Sequence, residues 1–198
     1  AEFYRKLVYW EIELENIEDQ NLIQILESQK AEANLQFGKF IERNYEDWFD
    51  EKADKPILSH KLFGEFVAPE IRKKDKPILF IVIDNLRLDQ WKIFESIVYN
   101  HYKVEKEANY YSILPTATQY ARNAIFSGLL PLEMEKKFPQ YWKNDTEDGG
   151  KNLHEADFLN EQLKRLGLNI KSEYYKITNL RDGKKLVDNF KACKNNDL

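Results

Sequence analysis

The sequence predicts two parts of different character: a helical bundle over residues 1–55, then an α/β domain with a mainly parallel sheet over residues 56–198. Three observations carry this reading. From Phe3 to Phe49 the only Gly or Pro is Gly38, and apolar residues recur every three or four positions. Ile78 to Ile83 is an unbroken apolar run with β-branched residues, the pattern of a strand covered on both faces. A second strand-like stretch follows about 30 residues later and leads directly into a helical one, as a βαβ unit followed by a helix requires.

The elements follow in order. Leu7, Trp10, Leu14 and Ile17 make one face of a first helix; Asn16 to Gln20 is a polar break in which Asp19 can cap the next helix. Leu22, Ile25, Leu26, Leu35, Phe37, Phe40, Ile41, Tyr45 and Trp48 continue the stripe along a long second helix. Two stripes this apolar need a partner, either a third helix or a second copy of the chain, so a homodimer through the bundle is one expectation. The charged break Asp50 to Lys55, closed by Pro56, marks the boundary. Ile57 to Phe66 reads as a helix stopped by Pro69, and Arg72 to Lys76 as a polar loop. Ile78 to Ile83 is the first strand, Leu88 to Tyr99 the crossover helix, and Tyr102 to Leu114 the second strand. Gln119 to Gly128 is helical, Asn144 to Gly150 a loop, and Ala156 to Leu166 a helix with Gly167 at its C-cap. Ile170 to Ile177 is a third strand and Leu180 to Cys193 a last helix. The chain opens in helical register without an initiator Met and holds only two or three strands, so it is expected to be a piece of a longer protein.

Composition narrows the classes. A net charge of −4 with both signs well mixed does not describe a nucleic-acid or membrane surface. The single Cys193 excludes an intrachain disulfide and fits a reducing, cytoplasmic compartment. No apolar run reaches the roughly 18 residues of a membrane span, so no membrane insertion is expected. With three His and one Cys, a metal site must lean on carboxylates.

Three residues stand at the place where α/β folds keep their chemistry. Asp84 ends the first strand, and Thr116 and Thr118 stand between the second strand and its helix. A helix start offers amide N–H groups and positive dipole to an anion such as a phosphate ester. Each has a plainer reading: Asp84 as a solvated acid that turns the chain, either Thr as an N-cap. Arg87 and Arg122 suit phosphate steering or ordinary ion pairing. His154 suits a helix-start cap, while His60 and His101 have no constellation around them. Tyr110, Tyr111, Tyr174 and Tyr175 read as strand aromatics rather than a base-stacking platform.

The stretches Phe80-Ile-Val-Ile-Asp-Asn-Leu-Arg-Leu-Asp-Gln-Trp91 and Ile113-Leu-Pro-Thr-Ala-Thr-Gln-Tyr-Ala-Arg-Asn-Ala-Ile-Phe-Ser-Gly-Leu-Leu-Pro131 resemble the PglZ domain of the alkaline phosphatase superfamily. The plan is similar to that of response regulators of type IX secretion: receiver, helical bundle, then PglZ domain. The resemblance implies that residues 56–198 are the first part of an alkaline-phosphatase-like α/β domain. It implies Asp84 as an acidic zinc ligand, and Thr118 as both the nucleophile and a ligand bridging two zinc ions. It implies a phosphodiesterase acting on nucleotide-type phosphodiesters, with a sensor histidine kinase and secretion components as partners. A regulatory or docking output that binds a nucleotide or a protein without turnover is the alternative. Because the family's other ligands lie well downstream, the chain alone is expected to be inactive. An acidic chain without a basic recognition helix is not expected to bind DNA.

Overall fold

Periodicity and capping chemistry account for most of the helices. The computed structural model describes residues 2–14, 17, 19–50, 52, 54–73, 76–193 and 195–198. Its α-helices are α1 (Glu2–Leu14), α2 (Gln20–Asn44), α3 (Ala68–Lys73), α4 (Leu88–Tyr99), α5 (Thr118–Ser127), α6 (Pro131–Lys137), α7 (Glu155–Arg165) and α8 (Leu180–Cys193). By contact the chain divides into two compact units, residues 1–56 with 83–109, and residues 57–82 with 110–198. No helix among the described residues is long and apolar enough to cross a membrane.

In the first unit, α1 lies against both α2 and α4. Leu7 and Val8 are buried, whereas Trp10, assigned to the same face by its spacing, is exposed. Asp19 caps α2 as expected, accepting from the amides of Asn21 at 2.9 Å and Leu22 at 3.3 Å. Lys30 pairs with Glu11 at 2.5 Å and ties α2 to α1. At the far end of α2 the rings of Phe40 and Tyr45 each lie 5.8 Å from that of the buried Trp48. Of the partners expected, a third helix or a second copy, α1 meets α4, which the sequence had assigned to a sheet crossover, while Ile25, Leu35 and Phe37 of α2 stay exposed. Its start is fixed by Gln90, whose side chain accepts from the Arg87 amide at 3.0 Å. The predicted breaks at 16–20, 50–55 and 72–76 lie partly outside the described residues.

In the second unit, α5 packs on α7 and on a short 3₁₀ turn, Ser59–Lys61. Phe63, Ile113, Ala124, Met134 and Phe158 are fully enclosed around this contact. The helix expected over residues 57–66 is instead that turn followed by a wide π turn, Phe63–Val67, in which the Ala68 amide reaches the Phe63 carbonyl. Pro69 does not stop the helix. It sits in the first turn of α3, where its missing N–H costs nothing. Gly167 adopts φ 66° just past α7, and the Leu168 amide reaches Leu163 O at 2.9 Å, a Schellman ending.

The mainly parallel sheet is not there. Among the described residues there is no strand, only an isolated parallel bridge between Leu58 and Tyr111. Residues 77–83 form no strand, and Leu79, Ile81 and Ile83 are 60%, 66% and 55% exposed, so one face of the run is uncovered. Residues 102–110 and 170–177 likewise have no regular pairing. An apolar run dictates extended backbone and a wish for burial, but a strand also needs a neighbour in register. Here the nearest backbone partner of Ile78 is Asp197, whose carbonyl accepts from it at 2.9 Å, while the Asp197 amide donates to Lys171 O at 2.7 Å.

The carboxyl end of α5 is closed by α7. Buried Gln162 donates to the carbonyls of Ile125 at 3.0 Å and Phe126 at 2.8 Å, and Arg165 donates to that of Ser127. Gly128 follows at φ 63°, where an added Cβ would run into the Gln162 side chain. Gln162→Ala should therefore cost about 2 kcal/mol through the orphaned carbonyls, and Gly128→Ala a similar amount through its left-handed backbone and the clash. Urea unfolding of both single variants and the double variant should show the Gly128 penalty shrinking once Gln162 is truncated.

Candidate functional site

Thr118 is the first residue of α5, and Ala117, not a threonine, occupies the N-cap position. The cap reading of Thr118 therefore does not hold. Its residue is exposed at the helix start, where first-turn amides and the dipole favour negative charge. Thr116 lies in the exposed loop before it.

Beneath this turn lies a cluster that the sequence reading missed. Glu155, at the start of α7, is 1% exposed. Its carboxylate accepts from Arg122 Nε, Tyr174 OH at 2.6 Å, Lys176 Nζ at 3.1 Å and Asn152 Nδ2 at 3.3 Å. Burial and the bond to Glu155 push the Tyr174 hydroxyl well up, so it stays a donor through neutral pH. Two cations, Arg122 and Lys176, thus face this one carboxylate. Arg122 stands one turn after Thr118 on the same helix, so its charge belongs to the face that carries the hydroxyl. Asn123 is also 1% exposed; it donates to Lys151 O at 3.0 Å and accepts from Asn152 Nδ2 at 3.0 Å. A buried helical Asn followed, some 30 residues on, by an Asn and a helix-start Glu was the available signal, and it is a weak one.

The remaining expected residues sort as follows. Asp84 is exposed, in the turn after the apolar run, with Asn85 in the left-handed region at φ 61°. Asp84 belongs to the first compact unit and Thr118 to the second. Arg87 takes its plain reading, bonding Asp89 at 2.6 Å and thereby holding that carboxyl down at about 2. Arg122 is an ion-pair arginine through Glu155. His154 is the N-cap residue of α7, although its side chain makes no cap bond and instead meets Asp157 at 2.9 Å. Tyr174 serves neither a strand ladder nor base stacking but the Glu155 carboxylate.

Comparison with known families decides the assignment. Residues 62–193 match the BREX system PglZ alkaline phosphatase-like domain. The chain belongs to the PglZ alkaline phosphatase-like family. Residues 1–49 match the PorX response regulator linker domain, so a linker of that type precedes the PglZ region. No curated protein matched the chain. The two matches together fit a response regulator with a phosphatase-like output domain.

Alkaline phosphatase-like domains are generally metal-dependent, so the PglZ residues can be tested for a metal centre. Among the described residues no group of three or more His, Cys, Asp or Glu is placed to hold an ion. A catalytic zinc takes three protein ligands. The described residues by themselves therefore do not make up a complete zinc pair.

The Glu155 cluster makes a direct stability test. Glu155→Gln keeps the shape but removes the carboxylate charge that Arg122 and Lys176 face, and should cost about 3 kcal/mol. Lys176→Met, at a half-exposed position, should cost no more than about 1 kcal/mol. Urea denaturation of the two variants side by side checks the ordering.

Proposed function

We propose that this chain is the linker bundle, residues 1–55, and the first part, residues 56–198, of a response regulator's PglZ output domain. In this reading the output domain hydrolyses nucleotide-type phosphodiesters in the cytoplasm, under a sensor histidine kinase, and controls type IX secretion. Thr118 is the nucleophile. Its oxygen attacks phosphorus in line, the leaving alcohol departs with the proton, and a phospho-threonine diester forms. Water then adds at the same phosphorus, returns the hydroxyl and releases the monoester. The helix start favours the charge carried by the phosphoryl oxygens. Asp84 and Thr118 are the proposed contributions to the zinc pair. The observation that carries the reading is the exposed Thr118 at the first position of α5, within the PglZ match and outside the cap position.

A second reading has its own support. The match of residues 1–49 to a response regulator linker fits equally an output domain that binds a nucleotide or a protein partner without turnover. Hydrolysis of bis-p-nitrophenyl phosphate by the full-length protein with zinc separates the two. Thr118→Ala should lower the rate by about 10³-fold or more while metal content and melting temperature hold. Equal rates for wild type and variant, or none with either, would overturn the enzyme reading.

A further inference from the structure

The first turn of α5 is held by side chains of that turn and by the segment that follows α6. Gln119 Nε2 donates to Lys143 O at 3.2 Å, and Tyr120 OH donates to Asp145 at 2.5 Å. Asn123 Nδ2 donates to Lys151 O at 3.0 Å. The last tie is different in kind, because it reaches the backbone of Thr118 itself. Asn152 Nδ2 shares its two N–H bonds among the Thr118 carbonyl at 3.3 Å, Asn123 Oδ1 at 3.0 Å and Glu155 Oε1 at 3.3 Å. Asn152 is itself pinned, since its carbonyl accepts from Lys176 Nζ at 2.5 Å. One carboxamide thus joins the residue carrying the proposed nucleophile to a buried side chain on α5 and to the buried carboxylate of α7.

We propose that Asn152 is a positioning residue for Thr118, holding the first turn of α5 against the buried Asn123 and Glu155 so that the hydroxyl keeps one attack direction. This deepens the nucleophile reading and rests on it. The physical reason is that a reacting hydroxyl on a fraying helix end samples many directions, and only a well-aligned one is productive. Asn152 touches neither substrate nor reacting atoms; it acts through the backbone of Thr118. Its loss should therefore appear in kcat and not in KM.

The test uses the full-length protein with bis-p-nitrophenyl phosphate and zinc, with wild type, Thr118→Ala, Asn152→Ala and the isosteric Asn152→Asp compared. Amide hydrogen exchange is measured on the same samples. Both Asn152 variants should lose about tenfold in kcat with KM within about twofold. Exchange should rise at residues 118–122 and stay unchanged across α7, with the melting temperature within about 2 °C of wild type. Unchanged kcat and unchanged exchange at 118–122 would overturn the proposal. So would exchange rising across α7 together with a falling melting temperature, the mark of a purely structural asparagine. If Thr118→Ala proves as active as wild type, it is the nucleophile reading that falls. The proposal falls with it as a catalytic statement, while the exchange data still decide whether Asn152 holds the turn.

Discussion

A carboxylate at 1% exposure has lost its water and must recover that solvation from protein donors. Glu155 recovers it from four side chains that stand on three stretches of chain: Arg122 on α5, Asn152 before α7, and Tyr174 with Lys176 beyond it. No two of these stretches are held together by a sheet in this structure, so the polar cluster does the work that a strand ladder does elsewhere. Around it the apolar contacts of α5 with α7 can close, with Ala124 and Phe158 fully enclosed. The helix carrying Thr118 is thereby fixed at both ends, by Asn152 at its start and by Gln162 at its finish.

This arrangement bears on how such a domain is read for function. A hydroxyl at a helix start is common and by itself says little. Here Ala117 takes the cap position, and the turn behind Thr118 rests on buried polar groups whose satisfaction demands a single arrangement. Rigid support under a reactive group is what a site requires, and the PglZ match supplies the class of chemistry.

The first unit follows a different logic. Its helices are joined by apolar contact and by long ion pairs such as Lys30 with Glu11, and α2 buries none of its described side chains. Stripes of this kind were read as wanting a third helix or a second copy of the chain, and α4 meets α1. Which helix that would be was not legible, because α4 carries apolar residues at a spacing that suits a sheet crossover equally well. Its membership in this unit is a matter of which surface it meets, and spacing carries no such address.

The sequence by itself determined the local elements. Leu88–Tyr99 and Leu180–Cys193 stand at the limits their spacing set, Asp19 caps α2, and Gly167 ends α7. These depend on residues within a turn or two of one another, and the linker and PglZ resemblance likewise rests on contiguous motifs. The tertiary structure alone decided that residues 78–83 form no strand and that Pro69 lies inside a helix. It also decided that Asn123, Asn152, Glu155, Tyr174 and Lys176 converge beneath Thr118. Pairing and burial are relations between residues far apart in the chain, and they are settled by which partners a folded chain brings within reach.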